Sequence, residues 1–316
     1  MLRKILTYKL KCVFVLAIVI FISTLQYHFL MKNLLHSFFE MPNHNEYGHQ
    51  KLSFMHHSNP NNKHFLVFII PSHPKNTRRR NVIRSTWMQF TRWNVLNNLD
   101  EDRYKELKFI FIFGKMESNQ TYSAEFTREL SENNDMLIDE NIAEGSNSLR
   151  PKVLLGMRYT YSNFDFDYLI KTDDDVLVNL PLLLQDLMAN PRQPVYWGRC
   201  LGLVGREPQR WRYCSGGGYI LSRDLVQDIL ALPQRVFQPR IVAEDVAIGW
   251  FVWNVNNSSS SSNHIRAEHK TQALLLDKYK CGALRYWFYH GYKYEPANRM
   301  LKDFESVFME SRVLMC

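Results

Sequence analysis

Asp165-Phe166-Asp167-Tyr168-Leu169-Ile170-Lys171-Thr172-Asp173-Asp174-Asp175-Val176-Leu177-Val178 is an apolar run that ends in three adjacent carboxylates. The apolar part reads as a buried strand, and Asn179-Leu180-Pro181 behind it as the start of a helix. Three acids at one strand end repel one another, so the cluster is costly unless a cation sits among them. An oxygen-only set of this density suits a hard divalent ion, Mn2+ or Mg2+, which commonly shares its shell with phosphate oxygens. An isolated Asp run reads as a solvated loop. The strand before it, and Lys171 beside it with a charge that can meet a phosphate, favour the metal.

Further apolar runs stand upstream. His64-Phe65-Leu66-Val67-Phe68-Ile69-Ile70 reads as a buried first strand ended by Pro71, Phe109-Ile110-Phe111-Ile112-Phe113-Gly114 as a second, and Met136-Leu137-Ile138 as a short third. Helices are expected from Arg79 past Trp87, from Ala124 to Asn133, and from Pro151 through Tyr161. Strands alternating with helices indicate an α/β fold around a mainly parallel sheet. In such sheets ligands bind at the carboxyl ends of strands, where the Asp run falls. No G-x-x-x-x-G-K-[ST] occurs, and no G-x-G-x-x-G follows the first strand. The phosphates of a bound nucleotide would therefore rely on metal and basic side chains. Arg79 and Arg84 are candidates, since a guanidinium forks onto phosphate or a base edge; a solvated basic turn fits the spacing as well.

The second half has a different texture. Val195-Tyr196-Trp197-Gly198 reads as a strand with an aromatic platform at Trp197. Gly216, Gly217 and Gly218 precede another strand and let backbone approach a ligand, or simply form a flexible turn. Trp211, Tyr213 and Tyr219 around them suit the apolar faces of sugar rings. Ser222 is placed to cap a helix from Arg223 to Leu230. Glu244-Asp245 opens an apolar helical segment. Acids there complement the helix dipole, and one could also accept a proton from an attacking hydroxyl. His290 lies in the aromatic run Tyr286 to Tyr292, either packed in a core or completing a mixed oxygen and nitrogen metal shell.

The chain has 316 residues, 46% of them hydrophobic, and a formal net charge of +8. The charge alone could indicate nucleic acid, but no zinc-finger spacing, RNP-like motif or long basic helix supports that partner. Residues 1–11 read as a basic cytosolic tail, 12–31 as a transmembrane signal-anchor, 32–62 as a polar stem and 63–316 as a lumenal catalytic domain. Asn119, Asn256 and Asn257 match the N-glycosylation acceptor pattern. Cys200, Cys214, Cys281 and Cys316 could form two disulfides in an oxidising lumen, with three connectivities open. The segment from Pro296 reads as a covering helix.

Arg79 to Trp87, Phe111 to Gly114, Lys171 to Val176, Gly216 to Ser222 and Glu244 to Gly249 stand in an order that resembles the β-1,3-galactosyltransferase family, glycosyltransferase family 31. The likeness covers about residues 64 to 310. It implies a GT-A fold, a Golgi type II membrane protein, and an inverting transfer of galactose from UDP-galactose, with Mn2+, onto a glycan acceptor. By resemblance Asp175, Asp173 and His290 are metal ligands, while Arg79, Arg84, Lys171, Asp173 and Asp174 serve the UDP-sugar. Asp245 is the general base and Glu244 its support. Trp197, Gly216, Gly217, Gly218 and Tyr219 face substrate. Within the family, Val82 to Trp87 and Tyr196-Trp197-Gly198 look most like the galactosyltransferase of the proteoglycan linker, whose acceptor is galactosyl-xylose. The segment Ser146 to Lys152 departs from the family pattern and keeps only its leucine and lysine. Rival readings are an N-acetylglucosaminyl- or N-acetylgalactosaminyltransferase of the same fold, and a non-catalytic lumenal lectin or chaperone.

Overall fold

The long apolar strands supply residues for two faces. In Lys63–Pro71 (β1), Leu66, Phe68 and Ile70 join one core while Val67 and Ile69 join another. That alternation is what a strand covered on both sides requires. The computed structural model describes residues 63–91, 107–116, 121–145, 147–189, 194–200, 202–206, 209–237, 243–258, 267–269, 274–275, 288–290 and Met300. All fall in the second of the chain's two units, Met55–Cys316. The expected tail, anchor and stem, the Asn119 acceptor, Cys281, Cys316 and, apart from Met300, the helix after Pro296 lie outside the described residues. Among the described residues no helix is long and apolar enough to cross a membrane.

After β1 come Thr77–Ser85 (α1), Leu107–Lys115 (β2), Ala124–Glu132 (α2), Met136–Ala143 (β3), Leu149–Asn163 (α3) and Asp165–Thr172 (β4). Then follow Val176–Val178 (β5), Leu180–Ala189 (α4), Tyr196–Gly198 (β6), Gly202–Arg206 (β7), Gln209–Tyr213 (β8) and Gly218–Ser222 (β9). The remainder is Arg223–Leu230 (α5), Glu244–Ser258 (α6), Ala267–His269 (β10), Leu274–Leu275 (β11) and Phe288–His290 (β12). Seven strands form one sheet in the order β10-β6-β9-β4-β1-β2-β3. β1 pairs in parallel with β2 and β4, and β2 with β3. β9 runs antiparallel to both β4 and β6. The expected mostly parallel α/β sheet is present, with one reversed strand that the apolar pattern does not announce.

Helices cover both faces. Val82 and Ile83 of α1, Phe126 of α2 and Leu180, Leu183, Leu184 and Leu187 of α4 pack into one core. Val153, Leu154 and Met157 of α3, Leu225, Val226 and Ile229 of α5 and Ala247, Ile248 and Phe251 of α6 pack into the other. Each fully buried branched or aromatic side chain contributes about 1.5–3 kcal/mol.

Some local expectations shift. α1 stops at Ser85, and Trp87 opens a 3-10 turn instead, fully buried between Phe68 and Phe109. β3 runs on to Ala143, and α3 begins at Leu149, two residues before Pro151. Ser222 stands at the N-cap of α5, but its side chain makes no capping bond there. Its hydroxyl accepts the Val195 N–H at 2.8 Å instead, tying β9 to the approach of β6. A disulfide joins Cys200 to Cys214 across the base of the β7–β8 hairpin, one of the pairings the sequence leaves open.

Two buried cations hold the corner where β1 ends. Arg80, fully buried, grips Glu129 of α2 with two nitrogens and donates to Ser72 Oγ at 2.9 Å and the His73 carbonyl at 2.7 Å. Lys152 of α3 donates to the Ser72 carbonyl at 3.0 Å and pairs with Glu144 at 2.8 Å. Glu144 in turn accepts the Gly114 N–H of β2 at 2.7 Å.

Candidate active site

From β1 the chain winds to β2 and β3 on one side, then returns through α3 to place β4 on the other. Such a reversal of strand order leaves a crevice at the carboxyl ends of β1 and β4. Asp174 fills it. One carboxylate oxygen accepts Ser72 Oγ at 2.6 Å and Asn76 Nδ2 at 2.8 Å, and the other accepts Arg79 Nη1 at 3.0 Å. Asp174 thus joins the turn after β4 to the turn after β1. Arg79 stands at this crevice; Arg84 does not. The Arg84 guanidinium binds both oxygens of Asp135 at 2.8 Å, reaches Glu129, and lies over the Phe111 ring. It is a fold-stabilising ion pair, which corrects its expected place at the nucleotide.

The second group forms on the other face of the sheet. Lys171 of β4 and Tyr219 of β9 are cross-strand partners, so their side chains share a face. The first turn of α6 meets them there. Lys171, with no exposed side-chain surface, donates to Asp173 Oδ1 at 2.7 Å and to the Gly216 carbonyl, and pairs with Glu244 at 3.2 Å. Tyr219 donates its hydroxyl to the other oxygen of Glu244. Gly216 N–H donates to Asp245 Oδ2 at 3.0 Å, and Val246 N–H to Oδ1 at 2.8 Å. Lys171 and Gly216 therefore bring the acidic turn and the two helix-leading acids, distant in sequence, into one cluster. Asp245 is only half-buried and held by two backbone N–H groups. Glu244 is enclosed.

Burial opposes the charge on Lys171, but Asp173 and Glu244 outweigh it and raise its pKa above the ordinary 10.5. Burial raises Glu244, with Lys171 and the Tyr219 hydroxyl drawing it partly back. Burial and then the Glu244 charge push the Tyr219 phenol well up, so it remains a donor. The glycine run serves these contacts. A Cβ on Gly216 would lie 3.4 Å from Lys171 Nζ and 3.5 Å from Asp245 Oδ2; one on Gly218 would enter the Phe288 ring at 2.5 Å. The Gly217 carbonyl accepts Thr172 Oγ1 at 3.0 Å. At Gly218 the close approach is thus to the protein's own side chain, whereas a Cβ on Gly216 would make only ordinary contact.

Trp197 is 7% exposed and belongs to the core with Ile220 and Val195, so the expected aromatic platform is a packing residue. Asp175 is 6% exposed in the turn between β4 and β5. β12 pairs antiparallel with β5, which sets the His290 backbone opposite Val176, the residue after Asp175. The His290 side chain lies outside the described residues. Among the described residues, no three His, Cys, Asp or Glu side chains form a metal cluster by themselves. The donor set still fits a hard cation, because such ions are often held by one or two carboxylates with phosphate oxygens completing the shell. Asp173 already carries the Lys171 charge, which makes Asp175 the stronger candidate. Asn256 and Asn257 fall in the last turn of α6, where Asn257 Nδ2 donates to the Trp253 carbonyl at 2.6 Å.

Ser72, Asn76 and Tyr219's bond to Glu244 complete the site, and sequence reasoning assigned none of them that role. The polar turn Ser72-His73-Pro74-Lys75-Asn76 directly after the first strand was the available signal.

Residues 78–204 match a family model described as Galactosyltransferase. Over that stretch the chain is similar to the galactosyltransferase family. The matched segment contains Arg79, Lys171 and all three aspartates of the turn, while Gly216, Glu244 and Asp245 lie beyond it. Over 229 residues the chain is 28% identical to beta-1,3-galactosyltransferase 6 of Mus musculus, covering 67% of each. It is 28% identical over 221 residues to beta-1,3-galactosyltransferase 7 of Arabidopsis thaliana, covering 62% of this chain and 55% of that protein. The chain thus spans from little more than half to about two thirds of these relatives' lengths. A galactosyltransferase crystallised with donor and acceptor sugar analogues aligns with 76% of the chain and 95% of its own, at 9% identity and a TM-score of 0.43. A likeness that slight carries no argument.

Proposed function

We propose that the protein is an inverting β-1,3-galactosyltransferase of GT-A type that moves galactose from UDP-galactose onto a glycan hydroxyl. The observation that carries this reading is the convergence of Asp173 and Asp245 through Lys171 and Gly216. Inversion needs a single in-line displacement, with the base on the acceptor side and positive charge at the departing diphosphate. Asp245 is the base. Two backbone N–H groups aim its carboxylate, and its partial exposure leaves it open to an alcohol. The acceptor oxygen bonds to the anomeric carbon, the bond from that carbon to UDP breaks, UDP leaves with the electron pair, and Asp245 takes the hydroxyl proton.

Glu244 stays enclosed between Lys171 and Tyr219 and fixes the start of α6. Asp174, Asn76 and Arg79 border the nucleotide crevice. Mn2+ or Mg2+ would be held by Asp175 and Asp173, with His290 as a further donor, and would supply charge to the diphosphate. The relatives' names support galactose as the sugar and the β-1,3 linkage. The disulfide supports an oxidising compartment, in keeping with a Golgi lumen and an anchor at 12–31. The likeness in Val82 to Trp87 favours galactosyl-xylose as acceptor. The test is incubation of the full chain with Mn2+, a panel of UDP-sugars, and xyloside, β-galactoside and N-acetylhexosamine acceptors. Transfer of galactose alone, with an inverted anomeric centre, is expected. Transfer of an N-acetylhexosamine instead, or no product with any donor, defeats the reading.

A further inference from the structure

Three tryptophans run beside Asp245 and take no part in the cluster around it. Trp211 of β8 donates its indole N–H to the carbonyl of Val246 at 3.1 Å. Its ring meets Trp250 edge-on with centroids 5.0 Å apart, and Trp250 stacks on Trp253, also at 5.0 Å, with planes 15° apart. All three are partly exposed. At about 1.5 Å per residue, Trp250 and Trp253 stand roughly 7.5 and 12 Å along α6 from Asp245. Hairpin and helix lie flush here, since a Cβ on Gly249 would come within 2.6 Å of the Arg212 carbonyl and the Tyr213 side chain.

Packing accounts for Trp250, which rests on the core beneath α6. It accounts only partly for Trp211, whose ring lies against Gly205, and for Trp253, which stacks on Trp250; neither belongs to an apolar core. Partly exposed aromatic rings offer area to a ligand that is apolar on its faces and polar at its rim. A pyranose is such a ligand, and a row of rings that leads away from the base suits a chain of them.

We propose that Trp211, Trp250 and Trp253 form an extended acceptor subsite that holds the sugar rings behind the terminal residue of a β-linked glycan while its terminal hydroxyl is presented to Asp245. This rests on the galactosyl-transfer reading. The rival occupant is the protein's own glycan on Asn257, one helical turn beyond Trp253. The Asn257 amide is turned back onto the Trp253 carbonyl, which favours the substrate.

The test compares a β-galactoside tetrasaccharide with its terminal disaccharide, using the full chain in detergent, tryptophan fluorescence for binding, and transfer kinetics. The tetrasaccharide should bind about tenfold more tightly than the disaccharide, the gain expected of a ring stack or two. Trp253→Ala should raise the tetrasaccharide KM by about that factor and the disaccharide KM far less, and Trp253→Phe should recover part of the loss. Asn257→Gln should leave the length preference unchanged. Equal binding of the two sugars, or a length preference that survives Trp253→Ala, overturns the subsite. A tenfold gain in tetrasaccharide binding from Asn257→Gln alone overturns it in favour of the glycan. Length-dependent quenching with no transfer from any donor defeats the transferase reading and leaves the subsite standing.

Discussion

Replacing Lys171 by Met tests whether the buried cluster is an electrostatic unit. Met fills much the same volume but removes the charge that Glu244 faces at 3.2 Å. The Glu244 side chain is 1% exposed, so its carboxylate would be left with the Tyr219 hydroxyl as neutral partner and no water to replace the ammonium. Removing one member of a buried pair costs about 3–5 kcal/mol, because the other charge stays uncompensated. For a domain of this size that lowers the melting temperature by roughly 6–20 °C. Glu244→Gln added to the variant removes the stranded charge, so the double substitution should cost about 1–3 kcal/mol less than the sum of the two singles. Asp173, 28% exposed, is solvated in either case. The pH dependence has a defined sign. Glu244 already has a raised folded pKa, and losing Lys171 raises it further. A carboxyl so raised costs stability above its folded pKa and nothing well below the ordinary 4.5, so the penalty of Lys171→Met should shrink on acidification. Urea unfolding of the full chain in detergent, followed from pH 7.5 down to about pH 5, measures all of this. A penalty below about 1 kcal/mol, additive substitutions, or a penalty that grows with acid would refute the reasoning.

Asp245→Asn keeps the size but retains an acceptor for only one of the two backbone N–H groups and cannot take a proton; transfer should fall by at least about 100-fold while calorimetry shows UDP binding unchanged. Gly218→Ala places a methyl group in the Phe288 ring and should destabilise the protein by about 1–3 kcal/mol, read as a lower urea midpoint at an unchanged slope. Burial would raise the Glu129 pKa, but hydrogen bonds from Arg80 and Arg84 outweigh it and hold it below 4.5. Its stabilisation is therefore full above pH 4.5 and lost as pH falls through the folded value, and Glu129→Gln should flatten that part of the acid unfolding profile.

The strands were legible because Phe65 to Ile70 and Phe109 to Phe113 are unbroken apolar runs, which only a sheet covered on both faces can bury. The Asp run was legible as a site because it ends such a run. The direction of β9 was not, since an apolar pentapeptide reads alike in either orientation. Arg84 was misplaced for a related reason. Periodicity puts it on α1, but its partners Glu129 and Asp135 arrive some fifty residues later, and spacing along one helix says nothing of pairing between elements. Trp197 looked like a platform because aromatic residues serve cores and sugars equally; only its burial among Val195 and Ile220 decides. Lys171 could be named from sequence, but the enclosure of its charge depends on Tyr219 and Glu244 arriving from two other segments.

The reversal of β9 has an evolutionary corollary. Because the strand runs against β4, the loop that enters it opens at the same rim where β4 ends. That loop, Cys214 to Gly217, directly follows the far arm of the disulfide-closed hairpin, which is tied at its base independently of the sheet. Under the galactosyl-transfer reading, recognition of new sugar chains can diverge in this hairpin while the crevice at the ends of β1 and β4 stays as it was.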